Sequence, residues 1–340
     1  MVPGRLQTTA MAVMPHVDVE RALELALSLD IPFWPQLPNY SYREDMYVQA
    51  AEYFPGIILD LEGRTLRFSM DRFILELEGA LARMENPALM DVSRSFSTVY
   101  HRFCSLDHGN RTAIRGQLEG PVSFGFNILD EDGRPIIFND TVRQFMVEFL
   151  AVRANAQLAN LKELNPGAFM FIDEPGLQFL FSAMSGYSDT VARPDLERFF
   201  ALVDRPRGIH LCGNPDWDFL LGLDLDVLSF DAYANGTVFS LCSRSVSRFL
   251  DRGGVIVWGI VPTGLEAFST EGVDALVARL ENIWKALWSS GIDPELMVER
   301  SMISPATCCL VNPDGGLTIE RAFLEVMQVA RTLRNRHLHD

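Results

Sequence analysis

The chain repeats one unit: a short apolar or alternating run that ends in polar or small residues and leads into a segment of helical periodicity. Such units mark parallel βα folding, because a parallel strand can be rejoined to its sheet only through a long crossover, most often a helix. Eight runs fit: residues 11–15, 32–37, 113–118, 168–172, 208–211, 227–230, 255–258 and 300–304. Eight strands alternating with helices predict an α/β fold, a (β/α)8 TIM barrel, which typically takes about 250 residues. The surplus in this 340-residue chain falls mainly between the second and third runs. Residues 39–111 are therefore expected to form a mainly helical insertion after the second strand, inside a single domain spanning 1–340. Two α/β domains are the alternative. Asp18 is placed to cap a helix over 19–29; residues 273–289 set Leu276, Leu280, Ile283 and Leu287 on one face; 319–333 follows Thr318 as a third helix.

Composition limits the partners. Lys plus Arg number 29 against 45 for Asp plus Glu, a formal charge of -16, which disfavours nucleic acid and anionic membranes. Five cysteines are odd in number and too few for a disulfide framework in a chain of this length. No run approaches the roughly 18 apolar residues of a membrane span, and the first twelve residues lack a signal-peptide core. The expectation is a soluble cytoplasmic protein, monomer or homodimer.

In a barrel of this kind, function sits at the C-terminal ends of the strands. The runs end in His16, Gln36, Gln117 and Glu119, Asp173 and Glu174, His210 and Cys212, Asp231, then Cys308 and Cys309. His210 and Cys212 are two apart on one run, so both point to the same face and can converge on one ion. Imidazole and thiolate together suit zinc, although a His near a Cys is also at home in ordinary packing. Cys308 or Cys309, at the end of the last run, offers a third thiol.

Four segments carry a family resemblance: Thr8-Thr9-Ala10-Met11-Ala12-Val13-Met14-Pro15-His16, Arg115-Gly116-Gln117-Leu118-Glu119-Gly120-Pro121-Val122-Ser123, Phe171-Ile172-Asp173-Glu174-Pro175 and His210-Leu211-Cys212-Gly213. The chain resembles the superfamily that joins uroporphyrinogen decarboxylase, cobalamin-independent methionine synthase and the methylcobamide:coenzyme M methyltransferases. The resemblance implies a zinc ion held by His210, Cys212 and Cys308. It also implies transfer of a methyl group from a methyl-corrinoid, brought by a corrinoid protein, or from a methyl-folate to a small thiol. Such an ion would hold the acceptor as thiolate, the nucleophilic form that a thiol of pKa about 8.5 scarcely populates at neutral pH.

The resemblance further implies that Asp173 and Glu174 help hold an amino group of the thiol substrate, the alternative being that they cap the next helix. Glu119 joins them as a catalytic candidate; Gln117, Gln36, His16 and Asp231 are substrate-binding candidates. Gln117 and Glu119 could instead brace the loop at Pro121, and His16 could cap the first helix. Two departures stand out. Gly315 occupies the place of the methionine synthase cysteine in Asn312-Pro313-Asp314-Gly315-Gly316-Leu317, whereas Cys308-Cys309-Leu310 is similar to the Cys-Gly-Leu of the corrinoid-linked branch. Asp231 stands where those synthases place a ligating glutamate.

Tyr40, Tyr42, Tyr47 and Tyr53 in the insertion suggest a cover over the site, and His101 and His108 near Cys104 are candidates for a second metal site. Cys104 and Cys242 are given no role, and His337 and His339 are expected to be solvated. A decarboxylase of the tetrapyrrole branch is the enzymatic alternative, disfavoured because Arg5 is alone in the N-terminal segment. A non-catalytic protein that binds zinc or a corrinoid partner is the alternative from another class.

Overall fold

Six of the eight expected runs are regular strands of one parallel sheet in the computed structural model, which describes residues 2–180, 186–308, 310 and 312–338. In chain order the strands are β1 (Gln7–Thr8), β2 (Ile57–Asp60), β3 (Thr65–Phe68), β4 (Arg115–Glu119), β5 (Phe169–Asp173), β6 (Arg207–Leu211), β7 (Val227–Asp231), β8 (Val255–Val261) and β9 (Ser301–Pro305). The large sheet runs β1, β9, β8, β7, β6, β5, β4, and every pair in it is parallel. It is a curled seven-stranded sheet.

The first two expected strands differ from the expectation. The regular first strand starts earlier, at Gln7, and residues 11–15 contribute only a bridge at Val13. Residues 32–37 lie between β1 and β4 without forming a ladder. They make isolated parallel bridges, Val13 with Gln36 and Phe33 with Arg115. Ile31 N donates to Thr8 O at 2.9 Å and Arg115 N to Pro32 O at 2.8 Å, so both edges of the sheet are tied to this segment. Pro32 and Pro35 explain the irregularity, since neither has an N–H to give to a ladder.

The sheet is apolar on both faces, as a parallel sheet covered on both sides must be. Leu118, Ile172, Ile209, Leu228, Ile256 and Ile303 join the helices in the outer core. Residues one step away, among them Phe169, Phe171, Val227, Val255, Val257 and Met302, form a separate inner core.

The helices that follow the strands are α1 (Val19–Leu27), α2 (Met46–Ala50), α3 (Met70–Met84), α4 (Thr98–Cys104), α5 (Pro121–Asn127), α6 (Asp140–Leu164), α7 (Asp189–Leu202), α8 (Trp217–Gly222), α9 (Ala232–Phe239), α10 (Ser243–Asp251), α11 (Leu265–Phe268), α12 (Val273–Ser289), α13 (Pro294–Glu299) and α14 (Leu317–His337). Asp18 caps α1 as expected, its side chain accepting from Arg21 N. Leu276, Leu280, Ile283 and Leu287 are the buried face of α12. His337 is not solvated: its Nε2 lies 3.0 Å from Glu281, and its ring meets Trp284 and Trp288. Among the described residues no helix is long and apolar enough to cross a membrane.

The insertion holds more than helices. β2 and β3 form an antiparallel hairpin, Ile57 opposite Phe68 and Asp60 opposite Thr65. Asp60 Oδ1 accepts from Glu62 N and Gly63 N, the local side-chain turn that reverses the chain. Phe54 then joins this region to α5 and α6, with ring centroids 5.4 Å from Phe124, 5.5 Å from Phe145 and 5.1 Å from Phe149. Phe54→Ala is expected to lower the unfolding free energy by about 3–5 kcal/mol, the usual cost of emptying a buried phenylalanine site. Urea denaturation followed by far-UV dichroism checks this, and one shared transition is expected; a separate early transition would make residues 39–111 a unit of their own.

Candidate active site

Side chains of the inner core alternate along each strand, so inward residues near the strand ends lie toward the C-terminal rim of the sheet. Register places four of them side by side: Glu119 opposite Asp173, Asp173 opposite His210, His210 opposite Ser229. All four are buried. Residues far apart in sequence thus form one row of two carboxyls, an imidazole and a hydroxyl.

His210 Nδ1 lies 3.0 Å from Ser229 Oγ. That contact fixes the ring and leaves Nε2 as the nitrogen to offer a ligand. Burial, and then the charge of Arg115, press its pKa down to about 3, so the ring is neutral. Cys212 is half-buried two residues further on, and burial followed by the charges of Asp173 and Asp231 pushes its thiol up. Burial pushes Asp173 up to about 7 against the pull of Arg115. Glu119 stands well above the usual carboxylate range, through burial and then Asp173. Glu119 Oε1 and Asp173 Oδ1 are buried without a protein hydrogen-bond partner.

Arg115 lies beneath this row. It is fully buried, stacked against Phe171 at 4.4 Å and Phe33 at 5.1 Å, and donates to the carbonyls of Ala10 and Gly116 and to Gln117 Oε1. The signal for it was a lone cation inside the apolar run 113–118, just as Ser229 was a lone hydroxyl inside 227–230. Tyr47, from α2 of the insertion, turns its hydroxyl to the Glu119 carboxylate. No spacing in the sequence pairs Tyr47 with Glu119.

The remaining candidates also make contacts within the protein. Glu174 accepts from Val122 N at 2.9 Å, Ser123 N at 2.8 Å and Ser123 Oγ at 2.7 Å. Glu174 thus ties down the first turn of α5, a helix that precedes β5 in the chain, and makes no side-chain cap to the helix that follows it; the contact crowds the backbone, since a Cβ on Gly120 would stand 2.3 Å from Glu174 Oε1. Asp231 Oδ1 accepts from Ala234 N at 2.8 Å and caps α9. Gln117 donates to Trp34 O at 2.9 Å and braces β4. Gln36 donates to Gln49 Oε1 at 2.7 Å, and its own Oε1 is buried without a partner. Buried His16 does not cap α1; its Nε2 lies 3.5 Å from Glu320 Oε1. His101 and His108 each place Nε2 2.9 Å from a backbone carbonyl.

Among the described residues no three His, Cys, Asp or Glu side chains gather into a group able to hold a metal ion. Cys308 is exposed and does not complete such a group with His210 and Cys212; Cys309 lies outside the described residues. Two described residues nearby meet the end of β8: Asn312 Nδ2 donates to Thr263 O at 2.7 Å, and the Thr263 and Thr307 hydroxyls are 2.9 Å apart. Gly315 has φ +66°, a conformation that a cysteine rarely adopts, so the glycine at this position suits the turn before α14. In chemistry the rim suits a cation: a neutral imidazole of fixed orientation, a thiol, and buried oxygens that lack donors.

No family model and no curated protein matches the chain. Solved structures do. A B12-independent methionine synthase from Shewanella sp. W3-18-1, in complex with selenomethionine, superposes with a TM-score of 0.58 at 13% identity, covering 97% of this chain and 98% of that one. A methyltransferase from Methanosarcina mazei gives 0.57 at 13% identity over 96% and 94%. At this identity the likeness establishes a shared fold.

The buried acids make stability depend on pH. Asp173 has a folded pKa of about 7 against 3.8 as the ordinary value, so its contribution is fully present below about 3.8 and is lost as pH rises through 7. In chelator-treated protein, Asp173→Asn should therefore gain on the wild type by a few kcal/mol between those pH values and hold a constant lead above them. Urea titrations across the range test this; a lead that does not vary with pH would mean that Asp173 is ionised throughout.

Proposed function

We propose that this chain, built on the fold it shares with B12-independent methionine synthase, transfers a methyl group to a thiol at a zinc ion held by His210 and Cys212. The observation that supports this reading is the placing of those two side chains: two residues apart at the end of β6, with the imidazole oriented by Ser229. A third donor is assigned to Cys308 or Cys309, after the last strand. When bound, zinc supplies a Lewis acid that keeps the acceptor thiol as thiolate.

The protein's own groups do the rest. Neutral His210 offers its lone pair without first losing a proton. Glu119, Asp173 and Gln36 present buried acceptor oxygens to hydrogen-bond donors on the substrate. Tyr47 holds Glu119 from the insertion side, and Glu174 holds the start of α5 against β5. The methyl donor in this reading is a methyl-folate or a methyl-corrinoid.

A second reading rests on the same carboxyls. Glu119 and Asp173, both raised in pKa, would suit metal-free acid–base chemistry of the decarboxylase type. Metal analysis separates the two. Wild-type protein prepared gently with added zinc should retain about one zinc per chain, and Cys212→Ser should lose both the metal and methyl transfer to thiols. Cys308→Ser and Cys309→Ser, measured in parallel, identify the third ligand by which one loses zinc. A wild type that takes up no zinc would overturn the assignment and favour the acid–base reading.

A further inference from the structure

The insertion encloses a cleft of about 410 Å³ that the candidate active site does not use. The α2 helix separates the two: Tyr47 reaches Glu119, while its neighbour Val48 lines the cleft. The walls are largely apolar, with Phe54, Ile57, Leu59, Leu66 and Phe96 among them. A volume in this range is that of a small-molecule site.

Four charged side chains also line the cleft: Glu52, Arg72, Glu76 and Arg83. Three already have partners. Arg72 Nη2 pairs with Glu76 Oε1 at 2.7 Å, and Glu76 Oε2 accepts from Gly56 N at 2.9 Å. Glu52 Oε2 accepts from Ser93 N at 3.1 Å and lies 3.4 Å from buried Arg153. Among the described residues Arg83 has no carboxylate partner. It lies 4.2 Å over the Tyr53 ring and makes one long hydrogen bond, 3.4 Å, to Leu89 O. With Glu76 paired to Arg72 inside the cleft and Glu52 to Arg153 behind it, Arg83 is the one lining guanidinium that no carboxylate meets among the described residues.

Tyr53 itself is strained, with φ +69°, a left-handed conformation that is a genuine outlier for a bulky residue. Strain of this kind persists where the surroundings over-determine it, and it concentrates at ligand clamps and active sites. Here it sets the ring under Arg83 at the wall of the cleft.

We propose that this cleft is a second binding site, for a small monocarboxylate with an apolar body, its carboxylate on Arg83 and its body against the apolar walls. One free guanidinium matches one negative charge. A phosphate would bring further charge toward Glu52 and Glu76, and a cation would meet Arg83.

Decanoate, decanol and decylamine are suitable probes, titrated into the full-length protein by calorimetry. Decanoate should bind saturably at one per chain, at least tenfold tighter than decanol, with no measurable binding of decylamine. Arg83→Met should weaken decanoate at least tenfold and leave decanol unchanged. Gly79→Leu provides a control that spares the fold: Gly79 lines the cleft in mid-helix, and a Cβ there meets nothing within 4 Å. Leucine also suits a helix better than glycine. This variant should keep the wild-type melting temperature or exceed it, yet bind no decanoate. Equal affinity for decanoate and decanol, or undiminished binding in Gly79→Leu, would overturn the proposal, as would the absence of saturable binding to wild type. None of these outcomes depends on zinc or on methyl transfer.

Discussion

Four parallel strands hydrogen-bonded in one register bring Glu119, Asp173, His210 and Ser229 into a row, and the rest of the site depends on that register. A slip of a single residue would turn every one of these side chains to the opposite face. The two cores oppose such a slip. Ile172, Ile209 and Leu228 belong to the outer core, while Phe171 and Val227 belong to the inner one. Because both faces are buried, each strand has only one register that satisfies its neighbours on both sides.

The inner core also sets the electrostatics. Packed aromatic and aliphatic side chains fill the space beneath the rim, so the carboxyls at the row sit in a poorly solvated place and are raised in pKa. Arg115 is the buried counter-charge. Its guanidinium is held between two phenylalanine rings and by backbone carbonyls. From there it opposes the rise at Asp173 and adds to the burial that keeps His210 neutral. The result is a pocket whose buried carboxyl oxygens include some that no protein donor meets. A cation or a donor-rich substrate is what that imbalance suits.

Around the row, acidic side chains serve as joints. Glu174 ties the β5 end to α5, Asp231 caps α9 from β7, and Glu44 in the insertion accepts from Ser97 Oγ, Thr98 N and Val99 N at the start of α4. Glu44 continues through Gln49 to Gln36, so the insertion and the sheet share a buried polar chain. Gln36 is therefore placed by hydrogen bonds that run into the insertion, which is part of what positions the site.

Local pattern was enough for much of this. The βα alternation, six strands of the sheet, the α12 face and the Asp18 cap are readable because they rest on neighbours along the chain, where periodicity and capping chemistry act. The residues at the strand ends were readable too, since parallel strands bring their C-terminal ends to one rim. What sequence could not assign is the use of each polar end, because that depends on partners far away in the chain. Glu174 and Asp231 are helix caps because particular N–H groups stand within reach of their oxygens. Tyr47 meets Glu119 only after the insertion has folded back through Phe54 onto α5 and α6. The prolines at 32 and 35 were visible as residues, yet their consequence, a segment tied by isolated bridges where a ladder was expected, required knowing that both sheet edges lie beside it. Composition and spacing thus determined the kind of fold and the rim on which chemistry would sit. Tertiary packing alone decided which carboxyls are free to act there, since only burial and three-dimensional hydrogen-bond partners separate an idle acceptor from a structural one.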